Sequence, residues 1–275
     1  MASTLPALAT IASVAAAALY LAGTALQIRY LRRSPTQTSA TLVTVLLLGI
    51  AAHATATYQQ IDTDAGLYLG LYTAASLIIL LVVVFLTLAI TRLPVGNLLL
   101  VALPVAAVAA VASVIGETGF QARETLAPTL IAHILFSLVA YSILFMAACQ
   151  SVLLACQEHW LRQPSSLQLL RWLPPLETME TLLFALLWAG IATLTAAIAT
   201  GFIFLDDMFA QHVVHHTVLA LASWAVYALL LAGRHFFGWR SSTATYWTLI
   251  AFALLVLGYF GSKFVLEVLL AGVDA

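Results

Sequence analysis

Residues 129–157 read TLIAHILFSLVAYSILFMAACQSVLLACQ, a run with no aspartate, glutamate, lysine or arginine and a single histidine, His133, near its start. A helix crosses the hydrocarbon core of a bilayer in about 20 apolar residues, so this run is a membrane span with length to spare. The rest of the chain has the same character. Of its 275 residues 63% are hydrophobic and only 8% are charged. Soluble domains carry about 25% charged residues, so one water-facing core cannot absorb this much apolar surface.

Working outward from that run, eight segments qualify as spans: about 5–28, 40–58, 67–91, 97–115, 129–157, 179–204, 214–233 and 245–270. Turn and charge signals separate them: RRSP, QQIDTDAG, TRLPVGN, GETGFQARE, EHWLRQPSSLQLLRWLPPLE, LDDMFAQ and GRHFFGWRSS. The expected fold is all-α, a polytopic integral membrane helical bundle, and a single transmembrane domain over 1–275. Within it, 1–125 and 126–275 each hold four spans. The first run lacks a basic leader region and is too long for a signal sequence, so it reads as a retained span. No internal repeat stands out.

Arginine placement orients the bundle. One set of loops holds Arg29, Arg32, Arg33, Arg92, Arg162, Arg171, Arg234 and Arg240; the opposite set holds only Arg123, among Asp62, Asp64, Glu117, Glu124, Asp206, Asp207 and Asp274. Positive charge is retained on the cytoplasmic side, so both termini are expected outside. The loop after span 5 reads as an interfacial piece, with Leu161, Leu167, Leu170 and Trp172 apolar and Arg162 and Arg171 toward headgroups. Pro174 and Pro175 end it, and Thr178 is the expected N-cap of span 6.

Several chemistries are excluded or unsupported. The net charge of −1 gives no basic surface for nucleic acid. Cys149 and Cys156 lie seven residues apart on one span, about 10 Å along a helix, too far for a disulfide. No CxxCH is present for covalent haem attachment. No activated nucleophile, phosphate loop or paired carboxylates suggest catalysis, so no enzyme is expected.

The informative residues are ionisable groups inside the spans, which are costly there and usually functional. The expected orientation puts His133, at the start of span 5, and His215 and His216, at the start of span 7, near the outer face. His53 in span 2 and Lys263 in span 8 fall in the same half; His212 belongs to the preceding loop. Two imidazoles at one depth, beside the small residues Ala132, Ser137, Ala220 and Ser223, suit the two axial positions of a haem iron. Zinc asks for three or four ligands; His212 and His216 with Asp206 and Asp207 form the alternative, a small outer metal site. His53 reads either as a pocket-lining residue or as an interhelical hydrogen bond. Lys263 reads either as a propionate partner or as an ion pair with Glu267.

At these residues the chain resembles a known family. HILFSLVAYSILFMAACQSVLL (133–154) is similar to the first conserved region of the CcsA/HemX-like cytochrome c assembly proteins. LLFALLWAGIATLTAAIATGFIF (182–204), HVVHHTVLALASWAVYALLLAGR (212–234), FGWR (237–240) and LGYFGSKFV (257–265) are similar to the second. PPLETME (174–180) and the short length point to a YpjD-like inner-membrane subgroup. The resemblance is closest over about 130–270. It implies a multi-pass protein of the cell inner membrane that binds b-type haem (heme b) near the outer face. His133 falls at the first external histidine, and His215 or His216 at the second. His215 is preferred as the ligand, since a His-Lys-Thr-like triplet recurs in relatives and places His216 at the lysine. The tryptophan-rich WWD segment of such proteins is absent here, where LDDMFAQHVV connects spans 6 and 7. That departure points toward haem carriage, sensing or support of a partner, a membrane protein or an apocytochrome, rather than haem ligation. The competing classes are an accessory subunit of a divalent-cation or metal-efflux transporter and a purely structural membrane partner.

The arginine asymmetry yields a direct expectation. Reporter fusions at Ser34, Pro94, Gln163 and Ser241 should read cytoplasmic, and fusions at Asp64, Arg123 and Asp207 external. A cytoplasmic C-terminus would overturn the orientation.

Overall fold

A computed structural model describes residues 5–33, 39–63, 66–67, 69–116, 128–162, 173–204 and 214–265. It is all-helical apart from one two-residue antiparallel ladder, Asp62–Thr63 (β1) with Gly66–Leu67 (β2). The helices are α1 (Leu5–Arg33), α2 (Ala40–Ile61), α3 (Leu71–Ala89), α4 (Gly96–Ile115), α5 (Pro128–Leu161), α6 (Leu176–Phe204), α7 (Val214–Phe237) and α8 (Ser241–Val256). The last continues through a π-turn, Leu257–Gly261, into Ser262–Phe264. Eight helical stretches among the described residues are long and apolar enough to cross a membrane. Large apolar side chains stand exposed along them, Leu88 at 69%, Val108 at 69% and Ile203 at 70%. A surface of that kind along whole helices is one that lipid, not water, covers.

The chain divides into two compact units, Met1–Thr125 and Leu126–Ala275. In the first, α1 packs on α2 and α4, and α3 closes the ring between those two. Its centre is leucine-rich; Leu42, Leu46, Leu86, Leu98, Leu99 and Leu103 are almost completely buried. Polar bonds tie the helices: Gln27 Nε2 donates to the Gly96 carbonyl at 2.9 Å, and His53 joins α2 to α1 and α3.

In the second unit α5 packs on α6 and α8, and α7 closes the ring. α5 and α7 therefore face each other diagonally. Tyr141, Ser223 and Thr245 donate to backbone carbonyls of neighbouring helices, at Leu255 (2.8 Å), Ala251 (2.7 Å) and Ser151 (3.2 Å). Such bonds matter in lipid, where burial of apolar surface gives no net pull between helices.

Sequence expectation and structure differ at the ends of elements. α6 begins at Leu176, three residues before the expected start, and the Pro175 carbonyl accepts its first bond from the Met179 N–H at 3.1 Å. Thr178 therefore lies within the first turn rather than capping it; proline at the boundary has already set the helical direction. The ladder takes up residue 67, so α3 starts later than expected. Of the expected interfacial piece, Leu161 is the last residue of α5, and residues 163–172 lie outside the described residues.

The end of this unit that carries the arginines holds an ion cluster. The Glu180 carboxylate is buried at 2% exposure and meets Arg234 Nη1 at 2.7 Å and Arg240 Nη2 at 3.2 Å. The Arg234 guanidinium also lies over the Phe184 ring, 4.6 Å from its centre. Gly238, at φ +68°, reverses the chain so that Trp239 stacks on Trp247 at 6.0 Å and Arg240 turns back to Glu180. A left-handed backbone of that kind is open to glycine with little strain. Glu180→Ala leaves Arg234 partly buried without its counter-charge. It should cost on the order of 2 kcal/mol, read as a lower melting temperature in detergent, with Arg240→Ala costing less because its side chain is mostly exposed. Equal melting of wild type and Glu180→Ala would contradict that role.

Candidate functional site

His133 is the sixth residue of α5, and its ring nitrogen Nδ1 lies 2.8 Å from the Ala197 carbonyl of α6. A carbonyl only accepts, so Nδ1 carries the proton and the Nε2 lone pair is left free. Thr200 stands beside the same carbonyl, donating to it at 2.9 Å, with its hydroxyl 3.5 Å from His133 Nδ1. The ring of His133 is thus held in one tautomer and one orientation. Metal-ligating histidines are typically fixed in just this manner, by a carbonyl on the opposite nitrogen.

His133 lines a pocket that is open at its mouth. His133, Ser137 and Tyr141 form a stripe along α5 at four-residue spacing, and α6 contributes Leu194, Ala197, Ile198 and Phe202. Across the bundle α7 contributes His216, Thr217, Ala220 and Leu221, and α8 contributes Leu255. Apart from the two imidazoles and three hydroxyls the lining is apolar.

His216 is the second imidazole of the pocket. It is half-buried, and its Nδ1 lies beside the Gly258 backbone without closing a well-formed hydrogen bond. Gly258 belongs to the π-turn; a Cβ there would sit 3.2 Å from Leu219 Cβ and 3.6 Å from His216 Nδ1. Glycine therefore lets α8 approach the histidine turn of α7. Tyr259 follows, its ring edge-on to His216 at 5.8 Å. π-turns cluster at functional sites, where the extra residue redirects side chains.

The structure brings together some of the residues expected from sequence and separates others. His133 and His216 line one pocket, with Ser137 and Ala220 among the small residues that make room. His215, the preferred partner in the sequence comparison, is exposed and does not line it. Adjacent helical residues point about 100° apart, so only one of the pair can face the bundle. Lys263 lies with its Nζ 5.9 Å from the Tyr259 ring, one ring removed from His216. His53 lies in the first unit, buried, between the Tyr20 hydroxyl at 3.2 Å and the Ser76 hydroxyl at 2.7 Å. Ser223 is occupied with the Ala251 carbonyl. Cys149 and Cys156 are free thiols on α5. Among the described residues no three histidine, cysteine or acidic side chains gather in a metal-binding group. His212, Asp206, Asp207, Arg123 and Glu267 lie outside those residues.

The residues missed in the sequence are Glu180 and Tyr141. Glu180 is the acidic residue of PPLETME that faces the arginine side of the bundle, and charge complementarity with GWR was its available signal. Tyr141 shares the face of His133 at a spacing of eight, a periodic signal in plain view.

The model of the cytochrome C assembly protein family matches residues 39–270 of this chain. The chain belongs to the cytochrome c assembly protein family. The match begins at the second helix, so the family pattern takes in α2 to α4 as well as the second unit. The chain is similar to Inner membrane protein YpjD of Escherichia coli (strain K12), 26% identical over 225 residues, which cover 81% of this chain and 85% of the relative. It is also similar to an uncharacterized 28.8 kDa protein in the nifR3-like 5'region of Azospirillum brasilense, 37% identical over 140 residues, 50% of this chain and 52% of that one. No solved structure matches it significantly.

Proposed function

We propose that this protein of the cytochrome c assembly family is a non-catalytic haem-binding protein of the cell inner membrane. It would take one b-type haem in the second unit, held by His133 and His216. The observation that carries the reading is the His133 Nδ1–H bond to the Ala197 carbonyl, which presents a free Nε2 lone pair to an apolar pocket that a second imidazole also lines. Haem asks for two axial donors and an apolar surround, and this is the donor set present. When bound, the haem supplies the iron and its redox chemistry. The protein's part is to hold the two imidazoles, keep the His133 tautomer fixed through Ala197 and Thr200, and exclude water with Leu194, Ile198, Phe202 and Leu255. Lys263, its Nζ 5.9 Å from the Tyr259 ring, would be the partner of a haem propionate.

The arginine distribution supports an outer-face position for this pocket, where haem would be received or passed to a membrane partner or an apocytochrome. The relative named Inner membrane protein YpjD supports the location. The short connection between α6 and α7 favours carriage or sensing over attachment of haem to another protein.

The reading is tested by haem content at matched expression. His133→Ala and His216→Ala should each lose haem or shift its absorption toward high spin, and His215→Ala should keep the wild-type spectrum. Lys263→Ala should weaken retention without changing spin state. Loss of haem in His215→Ala alone would move the ligand to its neighbour. Unchanged haem in His133→Ala, or no haem in the native protein, would overturn the proposal.

A further inference from the structure

The first unit contains a buried histidine with a different design. His53 is 1% exposed, at the centre of a unit whose other described helical residues in α2, α3 and α4 include no Asp, Glu, Lys or Arg. Its two ring nitrogens face hydroxyls, Tyr20 OH at 3.2 Å from Nδ1 and Ser76 Oγ at 2.7 Å from Nε2. A hydroxyl both donates and accepts, so neither partner dictates which nitrogen bears the proton. His133 is the contrast: its carbonyl partner permits one tautomer. The Tyr20–His53–Ser76 chain accommodates the ring as either tautomer, and as the cation when both hydroxyls turn to accept.

The face of α2 that carries His53 continues to Thr57 and Gln60, one and two turns toward the C-terminal end of the helix. Thr57 is 2% exposed, and its hydroxyl has no hydrogen-bond partner among the described residues. This is unusual within its own helix, where Thr44 and Thr55 donate back to the carbonyls of Ala40 (3.0 Å) and Ala51 (2.8 Å). Both amide atoms of Gln60 are likewise buried and unpartnered. On α1, Ser13 lies two turns from Tyr20 toward the same end of the unit, 1% exposed and also unpartnered. Buried polar atoms are nearly always paired, and where protein does not pair them internal water does. Beyond His53 in the other direction Leu42, Leu46 and Val83 are almost wholly buried, Gln27 and Thr87 are bonded to the Gly96 and Val83 carbonyls, and Asn97 is 2% exposed.

We propose that the first unit holds a column of internal water along Ser13, Thr57 and Gln60 that ends at Tyr20–His53–Ser76, and that this triad is a proton-binding site open to one face of the membrane. Uptake is a transfer in sequence: a flanking hydroxyl gives its proton to the ring nitrogen and takes one from a hydronium in the column. The hydroxyl ends neutral, the imidazole ends positive, and release reverses the steps. Tyr20 is the ionisable group that faces His53; Arg29, Arg32 and Arg33 of α1 lie at the opposite end of that helix, and Tyr72 of α3 and Tyr58 of α2 lie toward the open end. The site is independent of haem binding in the second unit, and its test does not depend on haem.

Two measurements on the full chain in lipid nanodiscs test it. In a Cys149→Ala/Cys156→Ala background, a small water-soluble methanethiosulfonate should label Thr57→Cys roughly tenfold or more faster than Thr87→Cys, since thiol reactivity follows access and ionisation. Thr87 is the control because it too is buried, at 6% exposure against 2% for Thr57, but bonded to its own helix at Val83. In ¹⁵N-histidine spectra, assigned with His53→Gln, the His53 nitrogens should show averaging between tautomers and exchange with bulk water. Tyr20→Phe and Ser76→Ala should each collapse the average to a single tautomer, without changing haem content. Equal slow labelling of the two thiols would refute the water column. A single fixed tautomer in the otherwise wild-type chain would refute the proton-binding site.

Discussion

Hydrocarbon offers no hydrogen bonds, and this constraint organises the whole molecule. Backbone polarity is settled within each helix, so the side chains that remain polar must find partners on neighbouring helices or gather at helix ends. The bonds that join helices in the second unit follow this rule. Tyr141 reaches Leu255, Ser223 reaches Ala251, Trp224 reaches Thr195 at 2.9 Å, and Gln150 reaches Met179 at 3.0 Å. Each fixes one helix against another where apolar packing alone would permit sliding. The pocket of His133 and His216 is the place in this lattice where two diagonal helices are left apart.

The same constraint gives three ionisable centres three different characters. A carbonyl partner makes His133 a ring with one orientation and one available lone pair. Hydroxyl partners leave His53 free to exchange its proton between nitrogens. Two guanidiniums bracket the Glu180 carboxylate and clamp the far end of α6 to the turn between α7 and α8. A partner's hydrogen-bonding capacity, more than burial, separates the proposed ligand from the proposed relay and both from a structural anchor. The π-turn at Leu257–Gly261 belongs with the first of these. It lets α8 close on His216 through Gly258 and sets Tyr259 against the ring, with Lys263 beyond.

Much of this was legible in the sequence because composition and charge decide it. Apolar runs of span length gave eight helices, and Pro and Gly breaks marked their ends to within a few residues. His133 stood out in the sequence because an imidazole inside such a run is costly there, and the structure places it in a pocket with His216. What could not be read was rotation about helix axes. His215 and His216 differ by one residue and so by about 100° of helix, and no loop of charge or length reports that angle. The π-turn was hidden for the same reason, since it changes the phase of α8 without changing its hydropathy. Thr178 was misplaced because two prolines had already begun the helix at Leu176. The Tyr20–His53–Ser76 chain was invisible as a set, being spread over three helices and joined only by packing. Glu180 was overlooked because positive charge alone was used to sort the loops.

The central claim is that two histidines of one pocket hold an iron porphyrin, and its most direct test is the low-temperature electron paramagnetic resonance spectrum of the oxidised protein as purified, without added haem. A low-spin ferric signal with two imidazole-type nitrogen ligands is expected, converted to a high-spin signal when His216 is replaced by alanine. A folded protein with no haem signal, or a low-spin signal that His216→Ala leaves unchanged, would contradict it.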